Sequence, residues 1–146
     1  MKLLSLAAVA IFSLAAGAMA QTAIQAGEWE STEKSWMEGM QPMPATSKKV
    51  CLKGADAQLE RLLFPTPEEM KQHGCRYEEG PKKAGVLAAT LTCPPTETVP
   101  GVTAKAEISY SATSYRGTGQ LEAHDAKGHR IKGSSELSGK RLGDCP

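Results

Sequence analysis

Four cysteines in a chain that is poor in large aliphatic side chains constrain the fold more than any other feature. Only 17 Val, Ile, Leu and Phe residues follow residue 20, which is few for a chain that must bury a core. The cysteines are Cys51, Cys75, Cys93 and Cys145. They are even in number and none forms a CxxC pair, so the spacing favours two structural disulfides over a redox motif or a zinc knuckle.

Four cysteines can pair in three ways, and their spacing alone does not choose among them. We favour Cys75–Cys93 together with Cys51–Cys145. The first pair brackets a segment centred on Ala84 that has the pattern of a hairpin, so its two cysteines would lie opposite each other on neighbouring strands. The second pair would join the early part of the domain to its last residues.

The N-terminus has the pattern of a secretory signal peptide. Met1 and Lys2 precede an almost entirely apolar run over residues 3–16, and small residues occupy Ala18 and Ala20. The run is shorter than the roughly 20 apolar residues of a membrane-spanning helix. We therefore expect residues 1–20 to be a signal peptide and residues 21–146 to form a single soluble periplasmic domain, with no membrane span after cleavage.

Charge and motif content exclude several functional classes. The chain has 17 Lys and Arg residues against 16 Asp and Glu residues, a net charge of +1 that provides no strong field for nucleic acid. It contains no Gly-x-Ser-x-Gly, no His-Glu-x-x-His and no phosphate-binding loop. The cysteines are assigned to disulfides, which leaves no thiol nucleophile. Neither an enzymatic activity nor a cofactor is predicted.

Hydrophobic patterning predicts a mainly β fold of the α+β class. Apolar and polar residues alternate over residues 102–110, and similar but shorter patterns mark further strands before and after this segment. After the second strand the period changes, and two short helices are predicted over residues 55–64 and 66–74, the latter with a capping box from Thr66 to Glu69. We expect an antiparallel meander of six or seven strands, forming a curved sheet or a partly closed barrel with a helical insertion after strand two.

A Met- and Pro-rich loop after the first strand is the main candidate for a binding surface. Met37, Met40 and Met43 recur every third residue, and Trp36 precedes them with a parity opposite to that of Trp29, the predicted core residue. Such a loop offers adaptable apolar side chains to a protein or small-molecule partner in the periplasm. Alternatively, the three thioethers could bind a soft metal such as Cu(I).

Two histidines provide a weaker metal hypothesis. His124 and His129 flank a predicted turn that also contains Asp125, and three such groups could hold zinc if they met across a hairpin. Turns also collect these residue types because they are solvated and conformationally tolerant, and we favour that interpretation.

Several segments together resemble a known family. They are Gly27-Glu28-Trp29-Glu30, the Met/Pro loop, Cys51-Leu52 before a helix, the two middle cysteines, Tyr115-Arg116-Gly117-Thr118 and the terminal run from Ser138 to Cys145. This set resembles the exported Gram-negative bacterial family called domain of unknown function three-six-one-seven. The resemblance implies a periplasmic location, and the family has no established activity. The opening Gly-x-Trp is also similar to the first strand of lipocalins, in which a basic residue packs over the Trp; Arg141 could take that role.

These observations lead to one functional prediction with one alternative. The chain is predicted to be a small, disulfide-stapled periplasmic module with a binding or structural accessory role, which uses Trp36 and the Met37–Pro44 loop. The alternative is a copper-binding or copper-buffering protein that uses the same three methionines.

Overall fold

A computed structural model describes residues 23–125 and 127–146, so the predicted signal peptide lies outside the described residues. One antiparallel sheet of seven strands dominates this part of the chain. The strands are β1 (Gly27–Met37), β2 (Thr46–Leu52), β3 (Arg76–Glu79), β4 (Val86–Cys93), β5 (Gly101–Tyr110), β6 (Ser114–His124) and β7 (Arg130–Gly143). A 3-10 turn at Gly54–Asp56 and two short helices, α1 (Leu59–Leu63) and α2 (Pro67–Gln72), lie between β2 and β3. None of the helices in the described ranges is long and apolar enough to cross a bilayer.

The strand order is β2-β1-β7-β6-β5-β4-β3. The predicted antiparallel fold with a helical insertion after the second strand is therefore confirmed. From β3 to β7 the chain is a simple meander, but β7 then pairs with β1, which a pure meander does not predict. This pairing makes the first and last strands neighbours inside the sheet, next to edge strand β2. In the described residues β2 and β3 remain unpaired edges at opposite sides, so the sheet is not closed into a barrel.

The pleat separates an apolar face from a polar face. Trp29, Ser31 and Met37 of β1 share the apolar face with Ile108 and Tyr115, because residues directly opposite each other in an antiparallel ladder point to the same side. Polar and charged residues of β5, β6 and β7 alternate onto the other face. The even positions of β1, including Trp36, lie on that polar face.

The fully buried large side chains are concentrated in one half of the apolar face. Trp29, Leu59 and Ile108 are the largest fully buried side chains. Leu59 belongs to α1, which covers the two sheet residues with Leu59 and Leu62. The rings of Trp29 and Tyr115 stack with their centroids 6.2 Å apart. Trp29 was predicted as a core residue from its parity alone, and its burial agrees with that expectation.

The N-terminal segment 23–26 closes this half of the molecule. The Ile24 backbone N–H donates a hydrogen bond to the Ala57 carbonyl at 3.1 Å, and the Trp29 indole N–H donates to the Gln25 carbonyl at 2.9 Å. Arg141, paired with Trp29 in the ladder, donates from Nε to the Ala26 carbonyl at 2.7 Å. We call this end of the sheet, where β1 begins and β7 ends, the capped end.

Both predicted disulfides are present. Cys51–Cys145 joins the end of β2 to the segment just after β7, with 5.6 Å between Cα atoms, at the capped end. Cys75–Cys93 joins the start of β3 to the end of β4, with 4.1 Å between Cα atoms, at the opposite end of the sheet. Each end of the sheet therefore has one covalent crosslink.

Element boundaries differ from the sequence prediction in two places. The segment expected to be helical from residue 55 is first a 3-10 turn, and α1 begins only at Leu59. Strand β7, expected to end at Leu137, continues to Gly143 because Gly139 allows the Tyr115 ring to lie directly over the backbone. A Cβ at Gly139 would overlap that ring, so the packing of the core requires glycine at this position of the strand.

Candidate functional site

Loops gather at the end of the sheet opposite the capped end. The β1–β2 loop (residues 38–45), the β4–β5 loop (94–100) and the β6–β7 turn (125–129) all lie there, because β1, β4 and β6 run in the same direction and end at this side. We call it the loop end. The Met/Pro loop is held to the sheet by backbone hydrogen bonds from Glu38 to the Lys132 carbonyl at 2.8 Å and from Met43 to the Ser35 carbonyl at 3.2 Å.

Exposed apolar side chains concentrate at the loop end. Among the described residues five large hydrophobic side chains are exposed, and four of them belong to this end. They are Met40 (65%), Val99 (55%), Met43 (44%) and Ile131 (40%). The fifth, Leu142, lies near the end of β7 at the capped end. We call the four residues at the loop end the apolar rim.

A concavity of about 700 Å³ opens beside the apolar rim. Its floor is a row of residues paired across four strands of the polar face, Trp36, Ser134, Gln120 and Lys105. A second row, Lys132, Glu122 and Thr103, flanks it nearer the loops. Met37 and Glu38 at the end of β1 complete the wall beside Trp36. We call this concavity the polar groove.

Trp36 reaches the polar groove because of strand parity. Its position differs from that of Trp29 by seven, an odd number, so the two indoles lie on opposite faces of β1. Edge strand β2 pairs with β1 only as far as Glu33, and Trp36 therefore has a strand neighbour on one side only. Its ring is half-buried, with the Lys34 ammonium 5.1 Å from the ring centroid, within cation–π distance.

The three methionines predicted as ligands or contacts occupy two different environments. Met37 is half-buried, and its Sδ lies over Gly133 of β7, only 2.5 Å from where a Cβ would be. Met40 and Met43 are exposed on the loop, where the Met40 N–H donates to the Met37 carbonyl at 3.1 Å. Trp36 and Met37 thus line the polar groove, and Met40 and Met43 belong to the apolar rim.

Charge in the polar groove is unevenly compensated. Glu122 lies 3.2 Å from Arg130 Nε and 3.0 Å from His124 Nε2. By contrast, Lys105 and Lys132 form no ion pair with the described residues. Sequence patterning missed both lysines, because each occupies an ordinary polar position of its strand. Only the order of β5, β6 and β7 in the sheet shows that they line the same groove.

The two turn histidines have separate carboxylate partners. His124 contacts Glu122, whereas the His129 ring Nδ1 lies 2.7 Å from Asp125 Oδ2. The His129 backbone N–H, its ring and the Lys127 N–H all hydrogen bond to Asp125, and these bonds hold the pKa of that carboxyl below its ordinary value. No cluster of three or more His, Cys, Asp or Glu side chains suited to a metal ion occurs within residues 23–125 and 127–146. The arrangement agrees with the interpretation as a solvated turn.

Comparison with known families identifies the class of protein. The sequence of residues 24–145 matches the model of the family described as "Protein of unknown function (DUF3617)". This range includes the Gly-x-Trp of the first strand and Cys145 after the last. The chain belongs to this family, as its motifs indicate. No curated protein and no solved structure matches the chain.

Proposed function

We propose that this protein is a periplasmic binding module that docks another protein through the apolar rim. The observation that carries this proposal is the placement of four of the five exposed large hydrophobic side chains at one end of the described residues. Scattered surface hydrophobics are normal, but their concentration at one end is typical of an interaction site.

The dimensions of the rim suit a protein interface. The Met/Pro loop follows β1 and Val99 precedes β5, three strands away in the sheet. At about 4.8 Å per strand this separation is roughly 14 Å. It fits within the contact patch of about 800 Å², or about 30 Å in diameter, that each partner contributes to a standard interface. Unbranched methionine side chains can adapt to the surface of a partner at little cost in strain.

Export is part of the same proposal. Both disulfides require an oxidising compartment to form and persist, which the periplasm provides and the cytosol does not. The apolar run over residues 3–16 would direct the chain to the export machinery. Cleavage before Gln21 would leave residues 21 and 22 ahead of the described segment.

The competing copper hypothesis is less well supported by the positions of the sulfur atoms. A trigonal thioether site would have to move Met37 away from Gly133 and order Met40 and Met43 on an exposed loop. Ordering costs about 1–2 kcal/mol per residue in backbone entropy, and no histidine or thiolate adds affinity.

Site-specific photo-crosslinking in the periplasm of the native host tests the docking proposal. A photoreactive phenylalanine analogue replaces Met40 or Val99 in separate variants, and a matched control carries it at Leu142, which is 40% exposed at the capped end. We expect one and the same protein adduct from both rim positions and none from Leu142. Equal adducts from all three positions, or none from the rim, would refute the proposal.

Substitutions then separate docking from copper binding. The pair Met40→Lys and Met43→Lys should abolish the adduct formed from Val99, whereas Met40→Leu with Met43→Leu should retain it, because leucine preserves apolar contact and removes only the sulfur. If the protein instead retains one equivalent of Cu(I) against a chelator, and the Met-to-Leu changes abolish that retention, the copper hypothesis is correct.

A further inference from the structure

We propose that the polar groove binds a carboxylated oligosaccharide, with one sugar ring on Trp36 and carboxylates of the ligand at Lys105 and at Lys132, on either side of Glu122. This inference rests on the opposite face of β1 from the core and is independent of the docking proposal. Three features of the described residues carry it: an aromatic ring at a strand end, a row of side chains that both donate and accept hydrogen bonds, and two lysines without acidic partners.

The aromatic ring supplies the apolar part of saccharide recognition. A sugar ring has one or both faces covered with C–H groups, and such a face stacks on an indole because the indole combines a broad apolar surface with a polar tip. Trp36 is held near the end of β1 by its pairing with β7, and the Lys34 ammonium lies 5.1 Å from its ring centroid. An indole that is already ordered loses little conformational entropy on binding, which favours affinity.

The cross-strand row supplies the polar part. Ser134 and Gln120 follow Trp36 across β7 and β6, in the same register row. Hydroxyl and carboxamide groups each donate and accept hydrogen bonds, as sugar hydroxyls do, whereas a lysine only donates. The row extends over three strand spacings, about 14 Å, which accommodates more than one sugar ring.

The two lysines supply the charge preference. Lys105 of β5 and Lys132 of β7 stand on either side of β6, and neither contacts an acidic side chain within ion-pair distance in the described residues. Glu122 between them is engaged by Arg130 at 3.2 Å, and Glu38 is exposed at the outer wall. An ammonium is a compact point charge that a carboxylate can neutralise from several directions.

Other ligand classes fit the polar groove less well. An acyl chain needs an enclosed apolar cavity, whereas the polar groove is open and most of its lining beyond Trp36, Met37 and Leu121 is polar or charged. A nucleic acid needs a strongly basic surface, which a chain of net charge +1 does not provide. A ligand that has both hydroxyl groups and carboxylates can hydrogen bond to Ser134 and Gln120 and form ion pairs with the two lysines.

Titration of the disulfide-bonded protein, from Gln21 onward, tests the inference. The probes are tri-galacturonic acid, its fully methyl-esterified form, and inorganic phosphate, at low salt and followed by calorimetry and by Trp fluorescence. We expect the acid to bind, the ester to bind at least about ten-fold more weakly, and phosphate not to shift the fluorescence.

Variants assign the binding to the polar groove. Lys105→Gln, Lys132→Gln and Trp36→Ala should each weaken binding of the acid about ten-fold, and Trp36→Phe should weaken it less, because it keeps an aromatic face. Lys48→Gln, on edge strand β2, is the matched control and should bind as the parent does. Each variant is first checked for an unchanged melting temperature, since all these positions lie on the surface.

Three results would overturn the inference. Equal binding of acid and ester would eliminate the role of the lysines, and binding that survives Trp36→Ala would eliminate the ring contact. The absence of binding by the acid at millimolar concentration would exclude this ligand class. Crosslinking from the apolar rim is measured without any saccharide. A negative saccharide titration therefore does not contradict the docking proposal, and a negative crosslinking experiment does not contradict saccharide binding.

Discussion

The capped end and the loop end of the same sheet are built on opposite principles. At the capped end the apolar face has Trp29, Ile108 and Tyr115, covered by α1 and by the N-terminal segment. At the loop end the same face has Met37, Leu91 and Leu121, which are only half-buried, beside the small residues Ala104, Gly119 and Gly133. The exposed large hydrophobic side chains of this end lie on the loops and at Ile131. One half of the sheet therefore buries its apolar groups, and the other half displays them.

This difference indicates how a chain with few aliphatic residues can be stable and still leave large apolar side chains exposed. Burial of a large side chain contributes about 1.5–3 kcal/mol, so concentrating such residues in one half makes a small core effective. The loop end then needs another source of order, and Cys75–Cys93 lies there as a covalent substitute for packing. If this division is correct, substitutions at the two ends should affect different properties.

Loss of a disulfide should give the largest difference between the ends. Replacing Cys51 and Cys145 by Ser removes a link across a sequence separation of 94, and replacing Cys75 and Cys93 removes one across 18. Loop entropy predicts losses of about 4.5 and 3 kcal/mol in the free energy of unfolding, and urea denaturation of both variants measures them. A larger loss from the shorter link would show that the loop end, and not the capped end, limits stability.

The two tryptophans should separate stability from binding. Trp29→Phe leaves a void in the buried core and removes the hydrogen bond to the Gln25 carbonyl, at a cost of about 2 kcal/mol. Trp36→Phe, on the exposed polar face, should change the free energy of unfolding by less than about 0.5 kcal/mol. Thermal melts of the two variants, read beside their saccharide titrations, check this. Equal destabilisation would contradict the division between the ends.

The buried Tyr115 and the half-buried Tyr77 provide the smallest contrast. Tyr115 shares a short hydrogen bond with the buried Ser31 hydroxyl, whereas no described group hydrogen bonds to the Tyr77 hydroxyl. Tyr115→Phe should cost about 1–2 kcal/mol because it leaves Ser31 unpaired, and Tyr77→Phe should cost less than about 0.5 kcal/mol. Denaturation at pH 7 measures both changes, and a costly Tyr77→Phe would reveal a partner for its hydroxyl.

The same tyrosines should make the fold sensitive to alkali. Burial raises the pKa of Tyr77 and of Tyr115, and the charges of Glu60 and Glu79 raise that of Tyr77 further. Since the unfolded pKa is about 10, the folded state favours the protonated phenols, and this contribution is complete below pH 10 and declines as the pH rises above it. Denaturation midpoints measured at increasing pH should fall, and Tyr77→Phe should reduce the slope.

Particular elements show why some features were predictable from the sequence. The capping box from Thr66 to Glu69 is present, with the Glu69 N–H on the Thr66 hydroxyl at 3.2 Å and the Thr66 N–H on Glu69 at 2.8 Å, because a cap depends on residues three apart. The alternation over residues 102–110 likewise became β5. The pairing of Cys75 with Cys93 followed from a hairpin, another local unit. Each of these depends on neighbours along the chain.

The polar groove was not predictable in the same way. Trp36 was singled out by its parity, but Lys105, Gln120 and Lys132 are separated from it by long stretches of sequence and meet it only because β7 pairs with both β1 and β6. The apolar rim also depends on this order, which places the β1–β2 and β4–β5 loops at one end.

The sequence by itself therefore determined the strands, the helical insertion, the hairpin disulfide and the face on which each side chain lies, because strand period, caps and hairpin spacing are local properties of the chain. Tertiary structure alone decided which strands are neighbours, where the core is concentrated and which side chains share a concavity. Those features depend on long-range pairing. The physical reason is that several registers satisfy the alternation of a single strand, so the strand alone does not select its neighbour. The observed order of the seven strands is the one that buries Trp29 and Ile108 beneath α1.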